Sequence, residues 1–338
     1  MYNKNSGYGL LEAIRANVAL PVLGNVFICA NSTDPAYDKL AQIFDTDPSG
    51  EVRLFSSLSG AYGATVTNRN DVVVMDAKTS LKVTAMLTVS KSRVHFVGFD
   101  GGGRLADQRT LVSNTGAGAA TDIAMVRVTG TGCSFRNIKF ANNWTVANNL
   151  YCFDDQSSQT YFENCTFQNL GSAHLTNNAA ASLRLSGDTC LYKHCTIGQD
   201  TLKVTSTGGQ QMLIKAGADG GSTAARRCVF ENCQFESYTN DTTHVFIRET
   251  TTGDIDRYLR LENPRFMNFN FSVSNGGAQL AVAIATNANL VSGGIIVVNP
   301  TLLFATKLAT AGVGNAGVYV HNNVAATAAA ADAAQATA

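Results

Sequence analysis

Charge is what this chain of 338 residues has least of. Lys, Arg, Asp and Glu together make up 15%, and 25 basic side chains stand against 25 acidic ones for a formal net charge of zero. A nucleic-acid partner favours a basic balance, so none is expected. No run of about 18 apolar residues occurs, which argues against a membrane span. The basic flank, apolar block and small-residue cleavage site of an export signal are missing at the start; the apolar stretch 19–29 follows no Lys/Arg cluster and contains Pro21 and Gly24. Motifs of chemistry are equally scarce. There is no Gly-x-Ser-x-Gly, and residues 98–103 lack the Lys-Ser/Thr ending of a phosphate-binding loop. Among five histidines, His95 is expected to alternate outward from a strand, and His174, His244 and His321, which share no metal-ligand spacing, read as surface or loop residues. No cofactor or metal site is expected. Residues 45–50, rich in Asp and Gly, lack the spacing and closing Glu of a calcium loop and read as a plain turn.

What the chain does have is 45% apolar residues, 30 Gly and an internal repeat. One pattern recurs six times: CSFRNIKF (133–140), TYFENCTF (160–167), CLYKHCTI (190–197), CVFENCQF (228–235), LRLENPRF (259–266) and IIVVNPTL (295–302). The fifth position is Asn137, Asn164, His194, Asn232, Asn263 or Asn299, spaced by 27, 30, 38, 31 and 36 residues. Recurrence at this range means stacked units sharing one core. Four and two residues before that position stand apolar side chains (Phe135, Phe162, Tyr192, Phe230, Leu261 and Val297 in the nearer column), which is the alternation of a strand with one buried face. After it the apolar phase shifts by one residue, as it must where a strand turns a corner and keeps the same face inward. Asn suits the corner because its short amide tolerates left-handed backbone angles, and stacked amides form a ladder. The residue just before it, Arg136, Glu163, Lys193, Glu231, Glu262 or Val298, is mostly charged and expected outside.

Six of the eight cysteines occupy repeat columns. Cys165, Cys195 and Cys233 are expected to form an internal stack of small buried thiols, with Cys133, Cys190 and Cys228 in a second column. No closely spaced pair recurs as a zinc or redox motif requires, so the thiols read as reduced, which implies folding in a reducing cytosol.

These columns resemble the pectin-lyase-like superfamily. The resemblance implies an all-β fold, a single-stranded right-handed parallel β-helix with an N-terminal cap and terminal arms. The chain divides into an arm and capping segment at 1–50, a β-helix at 51–306 and a strand with an Ala/Thr-rich tail at 307–338. Within these, a short helix is expected at 10–17, a strand at 24–30, a helix at 34–44, strands at 51–55 and 71–75 with a helix between them, and loops at 141–158, 198–225 and 238–257 projecting from one side. Trp144, in the first loop, either stacks on a sugar or is buried beneath that loop.

Parallel β-helices of this superfamily are often polysaccharide lyases or hydrolases, so Asp154, Asp155 and Asp188 are the candidate catalytic acids. Two carboxyls must face each other across a groove, whereas adjacent strand residues point to opposite faces. The Gly-His-Gly and Arg-Ile-Lys motifs of the polygalacturonase branch are missing. Arg184 near Asp188 approximates the Arg base of the pectate lyases but lacks a second acidic site. The order of residues 24–54 leading into the helix resembles β-helical virion proteins of tailed bacteriophages. That implies a non-enzymatic capsid decoration or cement protein, homotrimeric, in contact with the major capsid protein, on the exterior of a virion assembled in the host cytoplasm. The alternative is a tailspike or depolymerase that binds and cleaves a host glycan.

Overall fold

The computed structural model describes residues 24–35, 37–47, 50–76, 80–99, 110–114, 118–216, 224–251, 253–270, 279–286, 293–309 and 317–321. The helix expected at 10–17 and the tail after residue 321 lie outside them.

The described chain winds as a parallel β-helix. Three sheets run its length: sheet 1 with 11 strands, and sheets 2 and 3 with 8 each. One full coil places Ser134–Arg136 in sheet 1, Ile138–Asn142 in sheet 2 and Tyr151–Asp155 in sheet 3; the chain then returns to sheet 1 at Tyr161–Glu163, alongside the strand it left. Every strand pairing is parallel, and the repeat sets the register: Phe135 lies beside Phe162, Phe162 beside Tyr192, and Tyr192 beside Phe230. A parallel sheet needs long crossovers. Here each crossover consists of the other two sheets.

The corner between sheets 1 and 2 falls at the Asn column. Asn137, Asn164, His194, Asn232, Asn263 and Asn299 all have positive φ, between 49° and 57°. Asn164 donates to the Asn137 amide oxygen (2.9 Å); further along, Asn263 donates to Asn232 (3.1 Å) and Asn299 to Asn263 (3.0 Å). His194 takes the same backbone angle but joins neither hydrogen-bonded run. The ladder of amide-to-amide bonds is therefore two runs separated by an imidazole.

Inside, like packs on like. The rings of Phe96, Phe135, Phe162, Tyr192 and Phe230 stack from coil to coil at centroid distances of 4.8, 5.1, 4.5 and 4.3 Å and within 10° of parallel. All eight cysteines are free and buried. Cys195 neighbours both Cys165 and Cys233, and Cys190 neighbours Cys228. Burial pushes the Cys152 thiol up to about 12 and Cys133 to about 11. Trp144 is buried and lies against Gly118, where a side chain would meet the indole at 2.9 Å.

Helix α1 (Tyr37–Phe44) packs Phe44 against Ile28, Ala30 and Leu54. Helix α2 (Leu58–Ala64), capped by Ser57, puts Leu58, Ala61 and Tyr62 into the main core at the amino-terminal end. Lys91 reaches its last turn and donates to the carbonyls of Tyr62, Gly63 and Thr65 (3.0, 2.8 and 2.6 Å), where a cation complements the helix C-terminus.

The segments expected as projecting loops need correction. Residues 141–158, 198–225 and 238–257 contain the sheet 3 strands Tyr151–Asp155, Gln210–Ile214 and Val245–Glu249, and helix α3 (Ser172–Thr176) lies within a coil, in the connection from sheet 2 to sheet 3. The recurring octet covers only two sides of each coil. The third side has its own sequence character and passes for insertion.

Candidate functional site

Two acidic residues end the strand Tyr151–Asp155, and its pleat sends them to opposite sides. Asp154 faces outward in a column of sheet 3 that runs Thr88, Arg127, Asp154, Arg184, Leu213, Arg248 from coil to coil. Its Oδ2 accepts from Arg127 Nε (2.8 Å) and Gln156 Nε2 (2.8 Å), with Arg184 Nη1 at 3.6 Å. Both Asp154 and Arg184 have fully buried side chains, and the Arg184 guanidinium lies over the Tyr151 ring, 5.5 Å from its centroid. Beside this charged column, Ala124, Tyr151, Ala181 and Leu213 form a buried apolar patch on the same outer face. Loss of solvent raises the Asp154 carboxyl above its ordinary range, and the Arg184 and Arg127 charges oppose the rise.

Asp155 points into the solenoid. The Tyr192 hydroxyl donates to its Oδ2 (2.5 Å), while the Ser157 hydroxyl and the Ser157 amide (3.1 Å) donate to Oδ1. Burial raises its carboxyl too, against the pull of those donors, and pushes the Tyr192 phenol well above its usual value. Asp188 belongs to neither face. It sits in the turn leading back to sheet 1, where its carboxylate pairs with Arg227 Nη2 (3.1 and 3.2 Å) and accepts from the Thr189 hydroxyl (2.7 Å). The structure therefore distributes the three candidate acids over an outer face, an interior and a turn. Asp154 and Asp155 cannot flank one bond, because the backbone of their own strand stands between them.

A second polar cluster was not legible in the sequence. His174 on α3 and His244 in the loop just before Val245–Glu249 are both buried, which corrects their reading as surface residues. His244 Nε2 lies 3.0 Å from the Ser237 hydroxyl and 3.4 Å from Gln211 Nε2; Gln211 Oε1 accepts from the Ser182 hydroxyl (3.0 Å). Burial lowers His174 to about 4 and His244 to about 3, so both rings are neutral at pH 7. His95 is largely buried as well, with Nδ1 2.8 Å from the Ser134 hydroxyl. Its outward direction holds, but its exposure does not. Among the described residues no group of three or more His, Cys, Asp or Glu side chains could hold a metal ion, and no helix is long and apolar enough to cross a membrane. A cleft of about 320 Å³ at the amino-terminal end is lined by residues of the cap, including Phe27, Phe55, Val66 and Arg69.

Coil geometry decides the fold class. This is a right-handed parallel β-helix of the pectin-lyase-like kind. Solved structures agree: a pectin methylesterase from Aspergillus niger superposes with a TM-score of 0.57 at 12% identity, covering 89% of this chain and 86% of that one. A pectate lyase, Pel9A, gives 0.52 at 12% identity over 92% of this chain and 79% of its own. A chain of Geobacillus virus E2, ORF18, gives 0.46 at 12% identity over 79% of this chain and 49% of its own. Likeness at such identities speaks for the fold alone. No family model matches the sequence, and no curated protein does.

Proposed function

We propose that this β-helix is a structural protein of a tailed-bacteriophage particle, a capsid decoration or cement protein assembled in the host cytoplasm that holds the major capsid protein and copies of itself. The observation that supports this reading best is the disposition of the acids. Asp154 is clamped between arginines of the two neighbouring coils and Asp155 is bonded inside the core, so the strongest acidic pair in the chain joins coil to coil instead of meeting across a groove. A uniform solenoid interior with free thiols suits a stable scaffold that folds in a reducing compartment. Mass spectrometry of purified particles tests it: tens to hundreds of copies per particle are expected, a few copies would favour a spike, and absence would end both viral readings.

A second reading, binding or cleavage of a polysaccharide, is supported by a fold shared with a pectin methylesterase and a pectate lyase, while Arg184 and Tyr151 on the outer face of sheet 3 are covered and offer no open surface. Incubation with pectin, polygalacturonate and bacterial polysaccharides separates the two. Release of methanol, reducing ends or unsaturated products that disappears in Asp154→Asn would make the chain an enzyme.

A further inference from the structure

Sheet 1 has an outer face as ordered as its inner one. Across the four consecutive strands Ser134–Arg136, Tyr161–Glu163, Leu191–Lys193 and Cys228–Glu231, two columns point outward in register. One holds Ser134, Tyr161, Leu191 and Val229. The other holds Arg136, Glu163, Lys193 and Glu231, alternating in sign. Tyr161, Leu191, Val229, Glu163, Lys193 and Glu231 are all partly exposed. The patch has edges: buried His95 precedes it, and exposed Arg260, which pairs with Glu262 at 2.6 Å, breaks the apolar column after it. Arg136 and Glu163 already approach each other within the chain (3.4 Å), but among the described residues Lys193 and Glu231 form no ion pair of their own.

We infer that this face binds a second copy of the chain about a two-fold axis parallel to the strands, midway between Tyr161–Glu163 and Leu191–Lys193. Such an axis preserves strand direction and reverses coil order, so each column meets itself upside down. Tyr161 then faces Leu191 of the second copy, Glu163 faces Lys193, and Arg136 faces Glu231, each contact made twice. All four charge positions meet the opposite sign. An isologous patch must be self-complementary, and this one is. A symmetry axis parallel to the solenoid, two-fold or three-fold, keeps every coil at its own height. It sets charged positions against the apolar column or against like charge, so this face does not serve the homotrimer expected from the sequence.

The inference concerns the chain alone and stands or falls apart from the capsid reading. Eight outward residues per copy cover less than the roughly 800 Å² per partner of a standard interface, so a micromolar dimer is expected. Sedimentation of the purified full chain at low salt should show monomer–dimer exchange that weakens as salt is raised, because exposed charges are screened. Lys193→Glu should weaken the dimer at least tenfold. Adding Glu163→Lys to it should restore the affinity to within about threefold, since the swapped signs still complement each other across the two-fold axis although they no longer alternate along the chain. Unchanged thermal melting of both variants shows that the fold is intact. A wild-type chain that stays monomeric at 200 μM, a trimer, a dimer indifferent to Lys193→Glu, or a double variant as weak as the single one would each overturn the inference.

Discussion

Asp154 shows how much one side chain contributes here. Its carboxylate is the shared acceptor for arginines from the coils on either side, and removing one member of a buried charge set leaves the others uncompensated. Asp154→Ala is expected to cost about 3 kcal/mol or more, read as a lower urea midpoint at pH 7. The buried histidines give a pH signature. Both folded-state values lie below the ordinary 6.5, so the unfolded chain binds protons first as pH falls. Their effect is absent at pH 7. It grows below about 6.5 and levels off near 4 for His174 and near 3 for His244, at up to about 1.4 kcal/mol per pH unit for each ring. Asp154 and Asp155, raised in the folded state, act in the opposite sense: they favour the folded chain at low pH, and that contribution fades as pH rises through their folded-state values. Urea titrations at pH 7, 6 and 5 on wild type and His244→Gln should isolate the imidazole term as a shallower decline in the variant. These buried rings could not be read from the sequence. Each lies in a connection, and its surroundings are partly set by another coil more than 30 residues away in the chain, as by Gln211 for His244, beside the nearer Ser237.

At the scale of the element, the Asn corner is the most legible feature. A left-handed residue followed by a phase shift has few sequence solutions, and five Asn in six repeats use one of them. His194 is the exception that can be tested. His194→Asn places an amide where it can accept from one neighbour and donate to the other, joining Asn164 to Asn232. A gain of about 1 kcal/mol is expected from the new hydrogen bonds, seen as a higher urea midpoint, and a loss would mean that the imidazole makes contacts an amide cannot replace. Sheet 3 was hidden for the converse reason. Its strands YCFDD, ASLRL and QQMLI are buried throughout. With Asp154 and Arg184 covered on the outer face, no alternation between apolar and exposed polar residues marks the pleat, and neighbouring connections of unequal length blur the period further.

For the whole molecule, stability is set by each coil lying on the next, without covalent links between them. Since every thiol is free, the unfolding midpoint should be the same with and without dithiothreitol. The native chain should also resist alkylation at neutral pH until it is unfolded, because all eight thiols are buried away from the reagent. Rapid labelling of the native protein, or a drop in the midpoint on reduction, would contradict the thiol stacks. The fold class was readable from the octet because a solenoid repeats its local rule. The outer faces were less so, because their partners are set by register between coils and not by neighbours in sequence.

The common direction of all three sheets also makes the molecule mechanically anisotropic. Rungs about 4.8 Å apart are joined by backbone hydrogen bonds lying along the long axis, so tension from end to end loads those bonds directly, and the rod should give way one winding at a time in unequal extensions set by coils of 27 to 38 residues. A load across the axis instead meets the covalent chain, which runs round the girth like a hoop. Such a rod resists lateral bursting far better than stretching.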